Sequence, residues 1–165
     1  MKRYSFPRSI IVLLLFVVPL TMVAQKKDSI QAANVKNMIA NQRYVFKAQT
    51  VTPMAGRLRQ LTPEYDLQVS KEKIVAYLPY FGRTYSAPID PSRGGIQFTS
   101  KDFDYRVTER KKGGWNVSIT TKDLPESQQL QLTIFSDGTA SLQANSTNRQ
   151  SISFNGYITS ADKKK

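Results

Sequence analysis

Leu130-Gln131-Leu132-Thr133-Ile134-Phe135-Ser136-Asp137-Gly138-Thr139-Ala140-Ser141-Leu142-Gln143-Ala144 is the stretch that decides the fold. Leu130, Leu132 and Ile134 alternate with Gln131 and Thr133, the period-two pattern of a strand with one buried face. Asp137-Gly138 then interrupts the run, and Asp-Gly readily supplies the positive backbone angles of a tight type I′ turn. Alternation resumes from Thr139 to Ala144. The stretch therefore predicts a β-hairpin, and with it a sheet whose neighbours must also alternate.

They do. Tyr44, Phe46 and Ala48 alternate with Val45 and Lys47, and Tyr65, Leu67 and Val69 alternate with Asp66 and Gln68. After Ser70 to Lys73 the run Ile74 to Leu78 completes a hairpin, and Ile96 and Phe98 start another strand. Phe103, Tyr105 and Val107 lead through the turn Lys111-Lys112-Gly113-Gly114 into Trp115, Val117 and Ile119, a further hairpin with these residues on its buried face. A last strand places Ile152, Phe154 and Ile158 on one face. Upstream, Asp28-Ser29 reads as an N-cap, and Ala32, Val35, Met38 and Ile39 fall three and four apart, predicting one helix from about Ser29 to Asn41. The fold expected is mainly β, at the margin of α+β: a curved antiparallel meander sheet or half-barrel of about eight or nine strands with one short N-terminal helix. A β-sandwich is the alternative.

The N-terminus carries an address. Lys2, Arg3 and Arg8 precede the apolar run Ile10 to Val18, Pro19 breaks that run, and Thr21-Met22-Val23-Ala24 ends on a small residue. This is the pattern of a cleaved secretory signal peptide over residues 1–24. A membrane anchor needs about 20 apolar residues, and Ile10 to Ala24 is shorter and interrupted, so no stable anchor is expected after cleavage. With no cysteine in the chain, a lipid-anchored lipoprotein is excluded as well. The expected product is periplasmic or secreted, with a single globular domain over 25–160 and a disordered basic tail over 161–165.

Removing the first 24 residues from 165 leaves 141, one ordinary domain. Those first residues hold three of the 24 basic side chains and no acid, so the remainder has 21 basic against 12 acidic side chains, a net +9. In an exported protein the partners expected for such a surface are envelope lipid, glycan or another envelope protein, and not nucleic acid, and the bland reading is that the charge serves solubility alone. The absence of histidine removes the usual general base, the serine and cysteine triads and the commonest transition-metal ligand. Without thiols a zinc site is excluded too, which leaves only a hard-cation site built from carboxylates open, and no cofactor is expected.

Two long loops break the meander, Thr52 to Pro63 and Pro79 to Gly95. Loops of such length in a compact domain tend to be functional or mobile. The second carries the densest run of the chain, Leu78-Pro79-Tyr80-Phe81-Gly82-Arg83-Thr84-Tyr85-Ser86-Ala87-Pro88. Together with Tyr65-Asp66-Leu67, Gly95-Ile96-Gln97-Phe98-Thr99-Ser100, Asp137-Gly138 and Asn148-Arg149-Gln150-Ser151-Ile152-Ser153, it resembles an exported Bacteroidetes family catalogued as domain of unknown function 4251. The resemblance spans roughly the whole mature chain. It implies a single exported domain and no assigned activity, so it carries over no catalytic residue.

Read physically, Tyr80, Phe81 and Tyr85 are candidates to stack on a flat ligand such as a sugar ring, while Arg83 pairs with an anion and Arg149 joins it. The bland reading is a folded loop, in which Phe81 plugs the end of the sheet and both arginines satisfy backbone carbonyls. Asp102 and Asp104 are the one carboxylate pair on a strand face, but a catalytic acid needs burial or a charged neighbour, and a solvated row is the simpler reading. Glu109, Asp123 and Glu126 sit beside turns with no visible partner. Ser70-Lys71-Glu72-Lys73 matches Ser-x-x-Lys, yet it stands at a hairpin turn and lacks the companion elements of penicillin-binding enzymes. No catalytic residue is assigned. The expected function is a noncatalytic envelope protein binding a small apolar or carbohydrate ligand; the alternatives are a carboxylate-dependent envelope glycan hydrolase and a lipid or lipoprotein carrier with an apolar cavity of about 300 Å³ or more.

Overall fold

The structure, a computed structural model, describes residues 19–85 and 94–161, with side chains from residue 29 onward. Residues 1–18 of the expected signal peptide, Ser86 to Arg93 of the second long loop and residues 162–165 of the tail lie outside the described residues. Helix α1 (Pro19–Ala40) is followed by strands β1 (Tyr44–Pro53), β2 (Arg59–Gln60), β3 (Asp66–Val69), β4 (Ile74–Leu78), β5 (Ile96–Ser100), β6 (Phe103–Glu109), β7 (Trp115–Thr121), β8 (Gln128–Ile134), β9 (Thr139–Ser146) and β10 (Ile152–Ser160). All nine expected runs are strands. The two-residue β2, inside the expected loop 52–63, is the tenth.

All ten strands belong to one sheet in the order β5-β4-β3-β1-β10-β9-β8-β7-β6, with β2 paired to β1 off this path. One sheet rules out the sandwich. Every pairing is antiparallel, so β5 and β6, at the two ends of the path, run in the same direction. They are also consecutive in the chain, separated by Lys101 and Asp102 alone. The segment 96–109 therefore acts as one bent strand whose first half pairs with β4 and whose second half pairs with β7. Counting it once, the staves β1, β3, β4, β5–β6, β7, β8, β9 and β10 make a nearly closed up-and-down barrel. Because the two halves of the bent strand do not overlap, the wall has two openings: beside β5, where β7 has already ended, and beside β6, where β4 has not yet begun.

Residues of the inward faces fill the interior. Tyr44, Phe46, Leu67, Ile74, Leu78, Ile119, Leu130, Ile134, Leu142 and Phe154 are fully buried; each such side chain contributes about 1.5–3 kcal/mol relative to an exposed one. Val35 and Ile39 bring α1 into the same core. The alternation of β10 has a gap at Gly156, where β1 bulges between Ala48 and Thr50. A Cβ at Gly156 would overlap the Lys47 carbonyl, so the close approach of β1 and β10 at the bulge requires glycine there.

Three local expectations are corrected. Helix α1 starts at Pro19, a favoured first helical position, and runs on through Asp28 and Ser29, so these are interior residues and not its cap. It ends at Ala40, with Gln42 at φ 51° closing it. The Asp137-Gly138 turn is not type I′: Gly138 alone has a positive φ (86°), Gly138 N–H donates to Phe135 O (3.0 Å), and Phe135 N–H donates to Thr139 O (2.9 Å). That is a three-residue loop with a glycine bulge, steadied by Asp137, whose carboxylate accepts from Thr139 N–H (2.9 Å) and hydroxyl (2.7 Å). Finally, the inward residues of β6 are not fully buried. Phe103 and Tyr105 are half-buried and Val107 is 40 % exposed, because this half of the bent strand has a ladder on one side only. No helix among the described residues is long and apolar enough to cross a membrane.

Candidate functional site

The opening beside β6 is sealed. Tyr105 reaches across it to donate its hydroxyl to Ile39 O at the end of α1 (3.1 Å), and the Tyr44 hydroxyl lies 3.4 Å from that of Tyr105. Burial pushes the Tyr44 phenol well above its ordinary range, and burial pushes Tyr105 up to about 12. Gln31 ties the helix to the β8–β9 turn by donating to Asp137 O (2.6 Å), and Lys36 pairs with Glu109 at 3.4 Å in full solvent.

The opening beside β5 is covered by the β7–β8 turn, residues 122–127. At the bend, Asp123 accepts from the Ser100 hydroxyl (2.6 Å) and from the backbone N–H of Lys101 (2.7 Å) and Asp102 (3.3 Å). The Ser100 hydroxyl and then the Lys101 N–H hold its carboxylate below the usual range. Further along, the turn stands off from β5. A cleft of about 430 Å³ remains between them, lined by β5 from Ile96 to Thr99 with Gly95 before it, by Leu124, Pro125, Glu126 and Gln128, and by Arg149.

Arg149 is the hub of this cleft. Its Nη1 donates to Gly95 O (2.8 Å), its Nε lies 4.0 Å from the Glu126 carboxylate, and its guanidinium sits 5.2 Å from the Tyr80 ring centre. Glu126 also accepts from the Ser146 hydroxyl and from Asn148 N–H (3.3 Å). Gln128 is a buried polar residue whose side-chain amide donates to Glu126 O (3.2 Å). Tyr80 is half-buried, and its hydroxyl is shared between Arg83 O (2.8 Å) and Gln150 O (3.0 Å). Burial pushes its phenol up.

Of the five residues singled out from the sequence, the structure thus brings Tyr80 and Arg149 together. Arg83 and Tyr85 are fastened by backbone instead: Gln150 N–H donates to Arg83 O (3.1 Å), and Tyr85 N–H donates to Asn148 O (2.9 Å). Their side chains are exposed, Tyr85 at 72 %. Phe81 does not plug the sheet. It is 42 % exposed, with the Arg59 guanidinium 4.8 Å from its ring centre. The turn acids that seemed unpartnered all have partners: Glu109 has Lys36, Asp123 has the bend, and Glu126 has Ser146 and Arg149.

Sequence reasoning missed Phe98, Glu126 and Gln128 as neighbours of Arg149. Gln128 was legible, since it stands in register with Leu130, Leu132 and Ile134 and so puts an amide on the buried face of β8. Asp104 forms an exposed ion pair with Lys122 (2.7 Å), as a solvated row should. In the Ser-x-x-Lys match the Ser70 hydroxyl donates to the backbone O of Lys73 (2.9 Å) and accepts from its backbone N–H (3.0 Å), so it closes the β3–β4 turn.

Barrel and cleft together define a small antiparallel β-barrel domain with a polar recess beside β5, and larger open recesses of about 790 and 490 Å³ lie against the helix. The chain belongs to the family described as Domain of unknown function (DUF4251), whose model matches residues 26–158, and the resemblance read from its loops is borne out. A crystal structure of a DUF4251 family protein from Bacteroides eggerthii has a similar fold, with a TM-score of 0.62 at 20% sequence identity, over 82% of this chain and 91% of that one. Among the curated proteins none matches.

Proposed function

We propose that this is an exported, noncatalytic envelope protein that holds a small, neutral, polar ligand of the carbohydrate class in the cleft beside β5. The observation that carries the reading is the composition of that cleft. Its volume of about 430 Å³ suits a mono- or disaccharide, and small-molecule sites are commonly about 300–1,000 Å³. Gln97 and Thr99 on β5, with Glu126, Gln128 and Arg149, line it with donors and acceptors, and Phe98 adds an aromatic ring. The free side of β5 adds backbone groups that no strand occupies.

Charge separates the ligand classes. Arg149 already faces Glu126 and spends an N–H on Gly95 O, so the cleft offers no uncompensated cation to an anion. A neutral ligand leaves that pair intact. A lipid chain would need interior space at positions where the buried side chains of Tyr44, Phe46, Leu67 and Phe154 stand. Export is supported by the basic, apolar and small-residue pattern of residues 1–24 and by a family match that begins at residue 26.

Native mass spectrometry of protein purified from its own envelope tests both halves. The expected species begins at Gln25 and carries an adduct of sugar mass that an Arg149→Gln variant loses. An intact Met1 would overturn export, and a clean apo species would overturn the ligand.

A further inference from the structure

Four large apolar side chains stand exposed on two neighbouring segments: Met54 (70 %) and Leu58 (56 %) between β1 and β2, and Phe81 (42 %) and Tyr85 (72 %) after β4. Strands β1 and β4 are both antiparallel to β3, so both segments leave the barrel at the same end. The Arg59 guanidinium over the Phe81 ring joins them. Interleaved with the apolar residues are the exposed arginines Arg57, Arg59 and Arg83, and neither 54–61 nor 79–85 contains an acid. The nearest acids in the sequence are Glu64, Asp66 and Asp90: Glu64 stands exposed in the turn before β3 at this same end, Asp66 is taken up by Lys47 at 2.6 Å, and Asp90 lies outside the described residues.

We propose that this end of the barrel docks on the surface of an anionic lipid bilayer. The charge balance of this end is positive, three exposed guanidiniums against the one exposed carboxylate of Glu64, and guanidiniums suit phosphate headgroups, whereas a neutral surface would leave the excess without counter-charges. Two of the four apolar residues are aromatic, the type that settles at the headgroup level, and Met54 and Leu58 supply area to insert beside them. This inference goes beyond the ligand cleft and does not depend on it.

The test is sedimentation of the exported protein with vesicles of phosphatidylcholine alone and of phosphatidylcholine with phosphatidylglycerol. Three variants are compared: R57Q/R59Q/R83Q, M54S/L58S/Y85S, and K71Q/K73Q at the far end of the barrel as a control. All share one N-terminus, so differences between them report the surface that was changed. The wild type should bind the anionic vesicles and be released by salt. At about fivefold for each arginine near an anionic surface, the triple arginine variant should bind about a hundredfold more weakly. The M54S/L58S/Y85S variant should also weaken, and K71Q/K73Q should bind like the wild type. Absence of wild-type binding to anionic vesicles would overturn the proposal. So would an equal loss in K71Q/K73Q, which would mean that diffuse charge and not this patch is responsible. All substituted side chains are exposed, and if the arginine variant fails to fold, the M54S/L58S/Y85S variant decides alone.

Discussion

The two openings that the bent strand leaves in the barrel wall are covered by opposite chemistry. Beside β6, the C-terminal part of the helix buries Val35 and Ile39, and the hydrogen-bonded hydroxyls of Tyr44 and Tyr105 close the seam against its last turn. Beside β5, a polar turn is pinned at one end by Asp123 and at the other by Glu126 and Arg149, and a cleft stays between them. Apolar cover packs closely where Val35 and Ile39 enter the core, because it needs no directional partners, and the recesses on that side lie along the flanks of the helix. Polar cover must keep its hydrogen-bond geometry, so it bridges the gap at discrete points and leaves room between them. The same irregularity in one strand thus yields a structural seam on one side and a recess on the other.

Substitutions can break that contrast. Ile39→Ala should have the largest effect, about 3 kcal/mol lost in urea denaturation, the usual scale for emptying a buried isoleucine site. A loss comparable to that of an exposed residue would mean that the helix does not seal the barrel. Tyr105→Phe comes next: it leaves Ile39 O without its donor, costing about 1 kcal/mol. It also bears on alkaline behaviour. A folded-state phenol pushed up to about 12, against about 10 in the unfolded chain, contributes stability that is present below the unfolded value and lost as pH rises through the folded one. The wild type should therefore weaken between these two values, and Tyr105→Phe should weaken less steeply, as followed by circular dichroism.

At the other opening the pH dependence has the opposite sign. Asp123 is held below its ordinary range by Ser100 and Lys101, so its contribution is present above the unfolded value of about 3.9 and lost as pH falls through the folded one. Asp123→Asn should flatten the acid limb of the stability profile while leaving the alkaline limb alone. The smallest effect belongs to Lys36→Ala. Its ion pair with Glu109 has both side chains more than half exposed, and such pairs contribute about 0–1 kcal/mol.

Most of the sheet was legible in the sequence because burial repeats every second residue, and every alternating run became a strand. The break in alternation at Gly156 was legible only as a gap, since its cause is the bulge in a partner strand far away in the chain. Closure of the barrel was not legible. It depends on the offset between the β4–β5 and β6–β7 ladders, and register between distant strands leaves no local mark. The candidate site followed the same division. Tyr80 and Arg149 were found by residue type, but the loop's aromatic density pointed to Phe81 and Tyr85, which the structure leaves exposed. Glu126 and Phe98 join Arg149 only through the turn that covers β5, a contact between segments that no spacing encodes.

Titration of the isotope-labelled protein with neutral hexose and N-acetylhexosamine disaccharides tests the β5 opening most directly. Amide shifts should cluster at Gly95 to Thr99, Gln128 and Arg149, with Ile39 and Tyr105 unmoved. Shifts around the helix instead, or none at the cleft with any disaccharide at millimolar concentration, would contradict it.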